Sequence, residues 1–320
     1  MDLYKLLDYD CLSRIWRAPP RWHSAIAANA AIFAFLWDSL FSGNLDIRRV
    51  MRRFGEHRRY LGRNCATARF AYLNHYYAMR ALYNYGWLLN APLEEIRKEM
   101  AQMEIRGLGH AAKAVDMGGG ILAFSAHVGC FFNLLFAEPV TRLCKVKQIS
   151  VLSPGTSARR KQCMEAQLRR AAADLTWELV DIEKKSGGMK LLHTLRNKGV
   201  VACALDYAFP FTKNSVVKFL GRGVEFPIGA VVMGRRLGIT FLPCFSYVEA
   251  GRTVLEFQAP FSFTHTDAPD RDITEMAVRI NNIIETKIRA IPEQWSFWLR
   301  LVSQARTPDG RSDPECFEEG

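Results

Sequence analysis

The chain has 320 residues, 49% hydrophobic and 23% charged, an ordinary balance for a globular protein with room for one large α/β domain or two smaller ones. Its 43 Lys and Arg against 32 Asp and Glu leave a net charge of +11, which suits an anionic partner: nucleic acid, an acidic carrier protein or a membrane surface rich in acidic lipid. The eight cysteines form no C-x-x-C pair and no His/Cys cluster at zinc spacing, which argues against a zinc module or a disulfide framework and for reduced, structural thiols in a cytosolic protein.

In chain order, the first twenty residues lack a continuous apolar core, so no cleavable leader is expected. Residues 25–41 are apolar but interrupted by Asn29 and Asp38, with Arg14, Arg17 and Arg21 before them and seven arginines between Arg48 and Arg63 after them. The segment falls short of a convincing spanning helix. Three readings stay open: a helix lying in the cytoplasmic leaflet interface, a single-helix anchor across the bilayer, and a core helix with solvated arginines. Residues 1–115 read as a helical region, with Phe70, Leu73, Tyr76, Tyr77, Met79, Leu82 and Tyr85 at helical spacing and Pro92-Leu93-Glu94-Glu95 as a helix start.

Beyond Gly118-Gly119-Gly120 the pattern changes. Short apolar runs at 121–125, 148–152, 177–181, 200–206 and 239–247 alternate with helical stretches at 158–175, 188–197 and 228–237, which predicts an α/β core over 116–304 with a largely parallel sheet flanked by helices. Residues 253–259 fit an antiparallel strand paired with the preceding one, and 272–290 an amphipathic helix ended by Pro292. The tail, 305–320, is expected to be flexible.

Ligand sites in α/β sheets lie beyond the carboxyl ends of strands. His127 follows the first run, in Phe124-Ser125-Ala126-His127-Val128-Gly129-Cys130-Phe131-Phe132-Asn133, where a histidine is well placed as general base toward a hydroxyl. Asp206 follows another run, 79 positions on. The stretch Phe219-Leu220-Gly221-Arg222-Gly223-Val224-Glu225-Phe226-Pro227-Ile228-Gly229 reads as a glycine-bearing loop entering a helix, able to offer N–H groups and an Arg to phosphate, or as a plain turn. No G-x-G-x-x-G in the required context, P-loop lysine motif or G-x-S-x-G is present.

In this order the blocks resemble the lipid A late acyltransferases, the bacterial branch of the lysophospholipid acyltransferase superfamily. The resemblance rests on His127-Val128-Gly129, Asp206, Phe219-Leu220-Gly221-Arg222 with Pro227 and Gly229, and Ile284-Glu285 followed by Pro292-Glu293-Gln294-Trp295-Ser296-Phe297-Trp298. It implies a glycerol-3-phosphate acyltransferase-like fold at the cytoplasmic face of a bacterial inner membrane. The implied reaction moves a fatty acyl chain from an acyl carrier protein or coenzyme A thioester to a hydroxyl of a lipid or glycolipid acceptor. On this resemblance His127 is the base and Asp206 its companion, while Gly129, Asn133, Arg169, Arg170, Arg222, Gly223 and Glu285 contact substrate. No metal or redox cofactor, no nucleic acid and a monomer are expected.

One position departs from the family pattern, H-x4-[D/E]: the fifth residue after His127 is Phe132. A carboxylate there would hold the imidazole tautomer and stabilise the imidazolium. Asp206 is the expected stand-in, if its strand neighbours that of His127. Asn133 could orient the ring but offset no charge, and Glu138 is expected to point elsewhere. The alternative is a catalytically inactive relative that binds lipid, acyl chain or a partner protein.

Overall fold

The apolar runs become strands of one seven-stranded sheet in the computed structural model, which describes residues 20–40, 51–52, 54–56, 58, 61, 66–135, 148–152, 156–171, 175–184, 186–206, 213–298 and 305–306. The elements are α1 (Pro20–Leu40), α2 (Thr67–Asn90), α3 (Leu93–Met100), β1 (Glu104–Arg106), α4 (Leu108–Asp116), β2 (Ile121–Ser125), a 3-10 turn (Phe131–Leu135) and β3 (Gln148–Leu152). They continue with α5 (Ala158–Ala171), β4 (Thr176–Val180), α6 (Gly187–Arg196), β5 (Val200–Ala204), β6 (Asn214–Phe219), β7 (Arg222–Pro227) and α7 (Gly229–Leu237). Last come β8 (Thr240–Glu249), β9 (Arg252–Phe257), α8 (Pro269–Ala290), a 3-10 turn (Pro292–Gln294) and β10 (Ala305–Arg306).

The sheet order is β1-β9-β8-β2-β5-β3-β4, with every pairing parallel except β8 with β9. β2 lies at the centre because Ile-Leu-Ala-Phe-Ser offers both faces to apolar layers, as strands covered on two sides do. Leu122 and Phe124 are fully buried, a contribution of roughly 1.5–3 kcal/mol each. One layer, with α6, α7 and α8, buries Phe124, Val201, Phe241, Phe245, Ile280 and Ile284. The opposite layer, with α2, α3, α4 and α5, buries Tyr85, Trp87, Leu88, Ile96, Met164 and Trp177.

The mixed α/β architecture agrees with the expectation, with three local differences. Glu104–Arg106, inside the stretch read as helical, pairs parallel with β9 at the sheet edge; at three residues the run is too short for periodicity to reveal. The expected glycine loop at 219–229 is instead the β6–β7 hairpin, closed by Leu220 and Gly221 with φ of +46° and +84°. Two successive positive φ angles make the tight hairpin turn that Asn-Gly normally signals, and a leucine there carries no such signal. Its strain is offset by complete burial of Leu220 and by its N–H donating to Glu285 Oε2 at 3.0 Å. Ala305 and Arg306, at the start of the expected tail, pair antiparallel with Val224 and Gly223; residues 307–320 lie outside the described residues.

α1 takes in residues 25–40 of the apolar segment, and Phe41 lies outside the described residues. It turns His23, Ala27 and Ala31 inward, with the His23 ring meeting Trp87 edge-on at 6.1 Å, and leaves Trp22, Ile32 and Phe33 exposed. Among the described residues no helix is long and apolar enough to cross a membrane. Cys130, Cys163, Cys203 and Cys244 are free thiols, and burial pushes Cys130 up to about 11, which leaves it an inert, protonated packing group.

Candidate active site

β2 and β5 are neighbours, and their last residues, Ser125 and Ala204, are register partners. His127 and Asp206 each stand two residues beyond that pair, so the backbone alone delivers both to one edge of the sheet. Their side chains meet, with His127 Nδ1 2.7 Å from Asp206 Oδ1. A carboxylate only accepts, so Nδ1 carries the proton, and this tautomer leaves Nε2 basic.

The carboxylate is fixed at both oxygens. Oδ2 accepts the backbone N–H of His127 at 2.8 Å and the indole N–H of Trp295 at 2.8 Å. The Asp206 side chain has no solvent exposure, whereas 23% of the His127 side chain is exposed. Burial by itself would raise the Asp206 carboxyl. The charge of His127 and the three N–H donors outweigh that penalty and hold it below the usual carboxylate range, so it stays ionised. Phe297 lies over the imidazole at 4.1 Å between ring centroids, shielding one face of the ring.

The histidine loop is clamped by the segment that carries Trp295. Val128 bridges Trp295 antiparallel, Gly129 N–H donates to Gln294 O at 3.0 Å, and Ser296 N–H donates to His127 O at 3.0 Å. Gln294 in turn exchanges two side-chain hydrogen bonds with the Val248 backbone on β8, at 2.8 and 2.7 Å. Asn74 of α2 donates to Trp295 O at 2.8 Å and to Glu293 O at 3.1 Å. Pro292-Glu293-Gln294-Trp295 thus ties the His127 turn to β8 and to α2. Sequence reasoning singled out this block as a likeness but missed what Gln294, Trp295 and Phe297 do, since nothing local in the chain announces a contact 89 residues away.

The other candidate residues take varied places. Phe132 stacks on Tyr85 of α2, 4.0 Å between centroids and 9° from parallel, so the position where the resemblance implies an acid is committed to the α2 layer. Asn133 is completely buried and neither of its amide atoms has a hydrogen-bond partner, so it does not orient His127 as the sequence reading allowed. Gly129 lies against the backbone of Ser246 and Tyr247. Glu285 is occupied within the fold, accepting from Leu220 and paired with Arg289 at 2.6 Å. Arg222 begins β7 and lies 3.5 Å from Glu56, with Gly223 beside it in the ladder. Glu138 falls outside the described residues.

Arg169 and Arg170 occupy the last turn of α5, exposed, with Arg169 3.7 Å from Glu165. β3 and β4 are parallel, so the helix joining them runs back across the sheet and its last turn lies at the edge opposite His127, about 20 Å from its first turn. At the His127 edge stands Arg160 instead, in the first turn and buried, its Nε donating to Ser157 Oγ at 3.2 Å. The sequence reading passed over it because Arg159 and Arg160 look like any solvated pair.

A histidine oriented by a buried carboxylate, at the carboxyl edge of a mostly parallel sheet, is an arrangement chemically able to take a proton from a hydroxyl. A family model described as bacterial lipid A biosynthesis acyltransferase matches residues 78–302, and the chain belongs to that family. No curated protein matches the chain. The matched range includes both His127 and Asp206 and the whole seven-stranded sheet.

Proposed function

We propose that the protein transfers a fatty acyl chain from an acyl carrier protein or coenzyme A thioester to a hydroxyl of a lipid or glycolipid acceptor, with His127 as general base and Asp206 as its orienting acid. The observation that carries the proposal is the 2.7 Å contact between His127 and a buried Asp206 supplied by the neighbouring strand. In this reaction Nε2 takes the hydroxyl proton as the acceptor oxygen attacks the thioester carbonyl. The tetrahedral intermediate collapses with cleavage of the C–S bond. The proton on Nε2 then passes to the departing sulfur, so the products are an ester and a thiol. Asp206 steadies the imidazolium between those two steps.

The site acts at the cytoplasmic face of a bacterial inner membrane. Family membership and α1 support that placement: Trp22, Ile32 and Phe33 lie on its outer face, an arrangement suited to resting in a lipid interface. Acyl transfer by the purified protein, with labelled acyl-carrier-protein and acyl-coenzyme A thioesters and extracted bacterial lipids, tests the reading. Product formation is expected, falling by about a hundredfold to ten-thousandfold in His127→Ala. Equal product from that variant would refute His127 as the base. No product from either protein, with acyl-chain binding intact, would favour an inactive relative.

Phe132→Glu separates a displaced acid from a missing one. If Asp206 holds the imidazole, an acid at 132 adds nothing to the rate, and it loses the Tyr85 stack while bringing a charge to the α2 layer. A loss of about 1–3 kcal/mol in stability is expected, read by chemical denaturation. A rise in transfer rate would show that His127 lacks an effective partner.

A further inference from the structure

Trp295 has a place in the site that its burial alone does not explain. The residue is 1% exposed and its ring is held from several sides, edge-on to Trp298 at 5.1 Å and to Phe219 of the hairpin at 5.5 Å, with its carbonyl tied to Asn74. Phe54 and Phe70, stacked at 3.8 Å, close the cluster behind Trp298. A ring so constrained aims its single N–H in one direction, and that direction is Asp206 Oδ2 at 2.8 Å.

The division of donors on Asp206 follows from this aim. Oδ2 takes two N–H groups, from Trp295 and from the His127 backbone, and Oδ1 faces the imidazole. Without the indole, the backbone N–H alone would hold Oδ2, and the carboxylate could rotate about its Cβ–Cγ bond and share both oxygens with the ring. The hydrogen bonds of Asp206 run to His127 and Trp295, so its ionisation answers to those two residues.

We infer that Trp295 is a positioning residue for acyl transfer, its indole N–H locking the Asp206 carboxylate so that Oδ1 is presented to His127 in one geometry. The inference rests on the proposed role of the His127–Asp206 pair. It assigns to Trp295 a part in the chemistry besides its part in the fold.

Trp295→Phe tests it, since phenylalanine keeps an aromatic ring and removes the N–H. Trp298→Phe is the control, because the Trp298 indole donates at 2.8 Å to Pro292 O in the same cluster and does not reach Asp206. Losing a donor leaves more negative charge on the carboxylate, which increases the proton affinity of the pair. The expected result for Trp295→Phe is a kcat lower by about tenfold to a hundredfold, KM for the labelled thioester within about twofold, and the acidic limb of the pH–rate profile moved to higher pH. Trp298→Phe is expected to lower the unfolding temperature without moving that limb. An NMR titration of the 15N-labelled His127 ring reads the same displacement without turnover.

An unmoved limb and an unmoved ring titration in Trp295→Phe, with the variant folded, would overturn the inference. So would an equal displacement in Trp298→Phe, which would mark a purely structural effect. Full activity in His127→Ala would instead remove the underlying reading, an outcome that the Trp295 measurements cannot imitate.

Discussion

Asp206→Asn is expected to reduce acyl transfer by about three to four orders of magnitude while leaving the fold in place, the scale of loss when the orienting acid of a histidine base is made an amide in a serine protease. The reason lies in the donor pattern. Two N–H groups point at Oδ2, so the asparagine oxygen must take that position. Its NH2 group then faces Nδ1 of His127, and two donors cannot share a hydrogen bond. The imidazole responds by moving its proton to Nε2, where the mechanism needs a lone pair. The variant therefore keeps its hydrogen bonds and loses its base, and a 15N spectrum of the ring should show the opposite tautomer.

The pH dependence of stability carries the same signature. A carboxyl held below its ordinary value in the folded state stabilises the protein above the unfolded value, about 3.9, and that contribution disappears as pH falls through the folded value. The asparagine variant lacks this acid dependence. Transfer within about tenfold of the unaltered protein would show that Asp206 holds the turn without serving the base.

Much of this site was legible in the sequence, for a definite reason. Apolar runs buried on both faces mark parallel strands, and polar residues just past such runs fall at the ligand-bearing edge. That logic picks out His127 and Asp206 without coordinates. It does not say that β5 is next to β2, because strand order follows from long-range packing; β3 and β4 intervene in the chain but lie to the far side in the sheet. The same limit hides Trp295, whose indole reaches the site only because α8 and the Pro292–Gln294 turn return the chain to it. The arginines show the opposite failure. Arg169 and Arg170 matched by position along the chain, yet the run of α5 places them at the other edge from His127, and Arg160 is the buried cation at the near edge. Composition and likeness identify residue types, whereas helix direction decides which end of the sheet they serve.

Gly129→Ala is expected to be among the most damaging single substitutions in the chain. Gly129 has φ of +52°, and a Cβ there would stand 2.6 Å from Ser246 O and 2.8 Å from Tyr247 Cα. Both atoms belong to the backbone of β8, which is paired with β9 at these residues and held at Val248 by the Gln294 side chain, so it resists withdrawal. The turn must lift instead, and lifting it strains the N–H bond to Gln294 O and the bridge between Val128 and Trp295. A loss of about 2–4 kcal/mol follows from adding the left-handed strain to the backbone overlap. His127 is two residues away, so a shift of about 1 Å in its ring would cost a further hundredfold in rate among molecules that remain folded. Gly229→Ala supplies the contrast, because its Cβ would meet nothing within 4 Å and it begins a helix, where alanine is favoured. Denaturation midpoints and single-turnover transfer, measured on both variants, should place Gly229→Ala beside the unaltered protein and Gly129→Ala far below it. Equal behaviour of the two would mean that the 127–130 turn has room to move, and that the contact between His127 and Asp206 does not depend on β8 pressing against it.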